Sequence, residues 1–206
     1  MGQNPPSLNG IFKGGSEVRR AWFHGVMLVT LMMVNSWVYA TERDLGRSQA
    51  VQEFMAAQRQ KSQAFQEAEN NDGKAFMAAL AGKPKAEKIA AVRTFKTEQY
   101  EKNCAFREQM MAEWDAFLAT QGSSNVGAAQ GRREMMKQRM AEQNSKIKAF
   151  FAQKHAENMA FLDRMLADSS MDGAALDKEM STFFQNQKAS AKEHMDSIRR
   201  PAGKGR

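Results

Sequence analysis

Apolar positions beyond residue 40 recur at helical spacing, and one recurs with a longer period. Alanine–phenylalanine pairs end at Phe65 and Phe76, at Phe106 and Phe117, and at Phe150 and Phe161, eleven residues apart each time. Phe54 lies one such step before Phe65, and Phe95 one before Phe106. Eleven residues at about 100° each make three turns plus about 20°, so each ring returns almost above the last and the rings form a row on one helix face. A strand would need a period of two, which this pattern lacks. An eleven-residue period drifts opposite to a heptad, so packed helices with this repeat should be nearly straight or slightly right-handed.

The match extends beyond the rings. Gln58, Lys61, Ala64, Phe65, Asp72, Ala75, Phe76 and Met77 are repeated as Gln99, Lys102, Ala105, Phe106, Glu113, Ala116, Phe117 and Leu118. They recur as Gln143, Lys146, Ala149, Phe150, Glu157, Ala160, Phe161 and Leu162. A fourth, decayed copy keeps Gln185, Lys188 and Ala191 but has Lys192 where the ring should be; the copies start 41, 44 and 42 residues apart. Tandem duplication of one helical unit accounts for such spacing. Breakers separate the units: AGKPK at 81–85, TQGSSNVGAAQG at 120–131 and DSSMDG at 168–173. The pattern therefore predicts an all-α fold of about four elongated antiparallel helices, near 43–80, 85–119, 131–168 and 173–199, in a tandem 41–44-residue repeat with coiled-coil-like hendecad packing. ENNDGK at 69–74, with two asparagines and a glycine, predicts a kink or bulge in the first helix.

Polar positions on the repeated face sharpen this picture. Asp72, Glu113 and Glu157 project close to the Phe row, and Lys61, Lys102 and Lys146 lie about 40° to its side. Lys and acid are eleven residues apart within each copy, about 16 Å along the axis, too far to pair on their own helix. Exposed ion pairs contribute little, so a solvated rim is the expectation. The alternative is pairing across helices, which would fix the register between them.

Composition changes the picture mainly at the N-terminus. Arg19 and Arg20 precede a largely apolar stretch from Ala21 to about Trp37, followed by Val-Tyr-Ala. A basic segment, an apolar segment and small residues before a cut are the marks of a secretory signal peptide. Cleavage between Ala40 and Thr41 is expected, with an uncleaved inner-membrane anchor as the alternative, since about twenty apolar residues can just span a bilayer. The match of Arg19-Arg20 to a twin-arginine signal is partial. No cysteine stands directly after the apolar segment, which excludes a lipoprotein signal. The expected organisation is residues 1–40 as signal or anchor, 41–200 as the helical repeat domain and 201–206 as a basic flexible tail. The basic residues of the signal send the rest across the membrane, so a periplasmic location is expected.

The formal charge of +7 is concentrated at the ends: residues 1–40 carry +2, 199–206 carry +4, and the body is nearly balanced. A basic stripe for phosphate contacts is absent from this distribution, which argues against nucleic acid. Cys104 is the single cysteine, expected as a small buried residue or, alternatively, as a bridge between two chains. Beyond residue 40 only His155 and His194 remain as imidazoles, neither in a catalytic pattern, and both are expected at the surface. No phosphate loop, paired-cysteine zinc site or calcium loop occurs, so no catalysis, metal or cofactor is expected. Met136 with Met140, and His155 with Met159, share helix faces and would suit Cu(I), but methionine is the usual gap-filler of helical cores. The chain thus reads as an exported cell-envelope protein, structural or binding, self-associating or chaperone-like through its Phe and Met rows. A membrane-surface amphipathic protein binding lipid is the alternative, and a Met/His copper carrier a distant third.

Overall fold

The computed structural model describes residues 49–120, 128–171 and 173–199, all in helices or the turns between them, with no strand among them. The four helices are α1 (Gln49–Ala79), α2 (Lys85–Thr120), α3 (Ala128–Ala167) and α4 (Gly173–Arg199). The expected signal segment, the Ala40–Thr41 cleavage site, residues 43–48 of the first helix and the basic tail lie outside the described residues. Among those described, no helix is long and apolar enough to cross a membrane.

Two of the boundaries follow from local chemistry. Past α1, Gly82 takes a left-handed conformation at φ 76°, which a residue with a Cβ resists, and Lys83 N donates to Leu80 O. Pro84 then precedes α2 and its carbonyl accepts from Lys88 N, so the ring that cannot donate sits where no donor is needed. After α3, Asp168 Oδ1 accepts from both the backbone N and the hydroxyl of Ser170, closing a tight turn and holding the Asp168 carboxyl below its ordinary pKa. Lys85 Nζ donates to Asp168 O, which ties the first turn to this one.

The bulge expected at 69–74 is not present, since every residue from Gln49 to Ala79 is α-helical. Gly73 is buried, and Glu69 and Asp72 are engaged with Lys102 of α2, so packing overrides the weak propensity of Asn and Gly. The third helix begins three residues ahead of expectation and carries Gly131 inside it.

Neighbouring helices run antiparallel. Along α2 and α3, Arg93 faces Asp163, Tyr100 faces His155 and Glu108 faces Lys148, one chain number rising as the other falls. An apolar cluster at the turn end joins Leu80 of the turn after α1 to Ile89 and Val92 of α2, Phe161, Leu162 and Met165 of α3, and Leu176, Met180 and Phe184 of α4, with Phe76 and Met77 of α1 packed against it. A second cluster at the far end joins Val51 and Met55 to Trp114 and Leu118 and to Met136 and Met140. At about 25 cal/mol per Å² of apolar surface withdrawn from water, burial at these two ends helps to hold the bundle together. Between them the interface of α1 with α2 is partly polar, with Gln58, Glu69, Lys96 and Gln99 all buried.

Candidate functional site

The recurrent rings meet in pairs. Phe54 stacks on Phe117, Phe65 on Phe106 and Phe76 on Phe95, with centroids 4.1, 4.1 and 4.0 Å apart and planes within 7° of parallel. Each step of eleven residues forward on α1 is matched by eleven back on α2, so the two rows form a ladder of rungs about 16 Å apart along the axis. All six rings are half-buried: each pair lies along the seam with an edge toward solvent.

Phe150 and Phe161 on α3 form a second ladder with α4. Phe161 stacks on Phe183 at 3.9 Å, and Phe150 stacks on the imidazole of His194 at 4.0 Å. The sequence had assigned Lys192 to the position opposite; the ring that occupies it is His194, two residues on and eleven beyond Phe183. Because Arg93 faces Asp163 and Glu108 faces Lys148, the Phe76–Phe95 rung lies level with Phe161–Phe183, and Phe65–Phe106 level with Phe150–His194. The second ladder has no third ring on α3: Arg139 stands one step before Phe150.

The polar positions of the repeat correct the expectation of a solvated rim. Lys61 Nζ donates to Glu113 at 2.7 Å, and Lys102 Nζ donates to Asp72 at the same distance, both across α1 and α2. Glu113 also accepts from Gln58 at 2.7 Å; with Lys61 as the largest cause, these bonds hold its carboxyl below the ordinary range. On α3, Glu157 is held by Lys154 on its own helix at 2.9 Å and by Gln187 of α4 at 2.8 Å, and its pKa falls to about 2. Gln187 thus stands to Glu157 as Gln58 stands to Glu113. Lys146, the third lysine of the pattern, is exposed and bonds to nothing among the described residues.

Buried charge in the first hairpin escapes sequence reading altogether. Lys96 is 8% exposed and its ammonium lies 4.6 Å over the Phe184 ring, while burial lowers its pKa to about 7. Glu69 is also buried, which raises its pKa; Lys102 at 3.9 Å pulls the other way. A lysine on a charged helix is ordinarily solvated, and the only sequence signal was its place beside the Phe95 row position.

His155 and His194 are half-buried against other rings, not freely exposed. His155 stacks on Tyr100 at 4.5 Å, His194 on Phe150, and burial lowers the pKa of both. Cys104 is half-buried rather than enclosed. Met136 and Met140 belong to the far cluster, whereas Met159 packs against the turn-end cluster, so the two pairs weighed for copper are not brought together. Among the described residues no three His, Cys, Asp or Glu side chains converge as a metal site would require.

Comparison with family models, with curated proteins and with solved structures finds no match to this chain. The geometry itself defines a class: an antiparallel all-helical protein whose hairpins are closed by ladders of stacked rings.

Proposed function

We propose that this chain is an exported, non-catalytic helical protein of the bacterial cell envelope that works by association, with itself or with a protein partner. What supports this reading most is the repeated helix-to-helix contact of α1 with α2: identical rungs and ion pairs along its length, with no point at which reacting groups converge. Export rests on the signal-like pattern of residues 19–40 alone.

The lipid-surface alternative needs wide apolar faces that helices expose until lipid covers them. Here those faces are occupied by one another, and among the described residues Met135 and Leu166 are the large apolar side chains left exposed. The association reading therefore predicts full helicity in lipid-free buffer and oligomers whose mass rises with concentration in light scattering. Helicity that appears only with liposomes would favour the lipid reading. A monomer at every concentration, with no partner recovered by amine crosslinking in envelope extracts, would reject association. The mass of the chain purified from its host decides whether Thr41 is its first residue.

A further inference from the structure

The contacts of α1 with α2 have an internal symmetry that those of α3 with α4 lack. Phe65 is midway between Phe54 and Phe76, and Phe106 midway between Phe95 and Phe117. The central rings face each other, and the outer rings cross, first on one helix against last on the other. Lys61, four residues before its central ring, meets the acid seven residues after the opposite central ring, Glu113. Lys102, four before its own, meets Asp72 in the same way. A two-fold axis through the Phe65–Phe106 stack relates all of these contacts.

A surface that pairs with its own copy across a two-fold axis is isologous. The two helices carry one pattern, so the same contacts can be written for α1 against α1. Phe65 of one copy then meets Phe65 of the other, Phe54 meets Phe76, and Lys61 meets Asp72. For α2 against α2, Phe106 meets Phe106, Phe95 meets Phe117, and Lys102 meets Glu113. We propose that the partner of this hairpin is a second copy of the chain, docked by exchange of the ladder contacts, α1 against α1 and α2 against α2, in the register of the folded hairpin. This rests on the association reading given above and names its surface. The α3–α4 hairpin cannot exchange in this way, because its rungs differ: Phe150 meets an imidazole, and Arg139 replaces the third ring. Each ladder and ion-pair contact named here is replaced by an equivalent one, whereas Phe54 on Trp114 and Glu69 near Lys96 are lost, since Gly73 and Met55 stand at the matching places on α1. The net cost is these contacts and that of bringing two chains together, as in domain swapping. The connection that must reorient is the short Ala81–Pro84 turn, with Gly82 in its left-handed conformation.

Charge reversal separates the two pairings. In Lys61→Glu/Asp72→Lys, like charges face Glu113 and Lys102 within one chain, yet α1 remains complementary to α1 and α2 to α2. The dimer association constant from sedimentation equilibrium at low salt should rise on the order of tenfold, the scale of two such pairs turned from attraction to repulsion. Adding Lys102→Glu/Glu113→Lys should return it to the wild-type value. No rise in the double variant overturns the proposal, as does a rise that persists in the quadruple variant. Loss of helicity in the double variant also overturns it, because self-pairing would have kept the helices matched. Should all three chains oligomerise equally, association uses another surface and only this inference falls. Should all three remain monomers at every concentration, this inference falls together with the self-association branch of that reading, and the crosslinking test decides the branch with a different protein partner.

Discussion

The two hairpins solve the same packing problem with different side chains. The α1–α2 hairpin has three phenylalanine rungs, all half-buried, and two ion pairs between the helices. The α3–α4 hairpin has two rungs, one completed by histidine, but it buries Phe150 and Phe161 and joins the larger apolar cluster. Regularity thus accompanies exposure, and burial accompanies irregularity. A seam held by half-exposed rings and surface charges gains little from each contact and depends on their repetition. A seam with a dense core can lose a rung, because burial supplies the stability instead.

Truncating one ring in each hairpin gives the largest separation. Phe161→Ala should cost about 3–5 kcal/mol in chemical denaturation, the range for a buried phenylalanine, whereas Phe65→Ala should cost about half as much. Equal losses would mean the two ladders carry equal weight.

Lys96→Met should act in the opposite direction, raising stability at pH 7 by about 1 kcal/mol, because an enclosed ammonium is replaced by an apolar chain of similar volume beneath Phe184 while the lost attraction to buried Glu69, which Lys102 still faces, offsets part of the gain. The pH dependence gives the sign independently. With a folded pKa of about 7 against an ordinary 10.5, the unfolded chain binds more protons between those values, so wild-type stability rises with pH across that window. The variant should lose most of that rise. A thermal denaturation series from pH 7 to 10 checks both.

His194→Phe would make the second ladder resemble the first. Burial holds the His194 pKa below 6.5, so the wild-type chain loses stability as pH falls through and below that value while the unfolded chain takes up the proton. The variant should be more stable by about 1 kcal/mol at pH 5, the scale of an aromatic pair freed from proton competition, with a smaller gain at pH 8. His155, lowered in the same direction, leaves a residual acid slope in both chains. An undiminished slope in the variant would locate the titration elsewhere.

The smallest effects lie in the ion pairs. Lys102→Glu should destabilise by about 0.5–1 kcal/mol, with Asp72→Lys recovering part of the loss in a double-mutant cycle. Lys146→Glu, at the equivalent place on α3, should change stability by less than about 0.5 kcal/mol, since its charge meets no described partner.

Helical spacing carried much of the fold into the sequence. The eleven-residue recurrence located the rings of both ladders on α1, α2 and α3, and glycine, proline and aspartate marked the turns at 81–84 and 168–171. Pairing across helices, seen for Lys61 with Glu113 and Lys102 with Asp72, is the alternative the sequence offers beside a solvated rim, and the weakness of exposed pairs tips the sequence reading toward the rim. Weak pairs still form where neighbouring rings hold the helices in register. His194 falls outside a phenylalanine pattern, although Phe183 and His194 share the eleven-residue step. Lys96 and Glu69 were illegible for a different reason: nothing local distinguishes a buried charge from a solvated one on a helix dense in both. The bulge expected at ENNDGK is absent because the weak propensity of Asn and Gly yields to packing at Glu69 and Gly73.

Identical rungs at equal intervals make poor landmarks. If α1 slid along α2 by one interval, two of the three stacks could re-form with new mates, and the rings alone would scarcely resist. The lysines and acids object in both directions: one slide brings Lys61 toward Lys102, the other brings Asp72 toward Glu113. The modest charges along the seam therefore act as a key against misthreading, a task for which a few tenths of a kcal/mol per clash is enough when every competing alignment has also lost a stack.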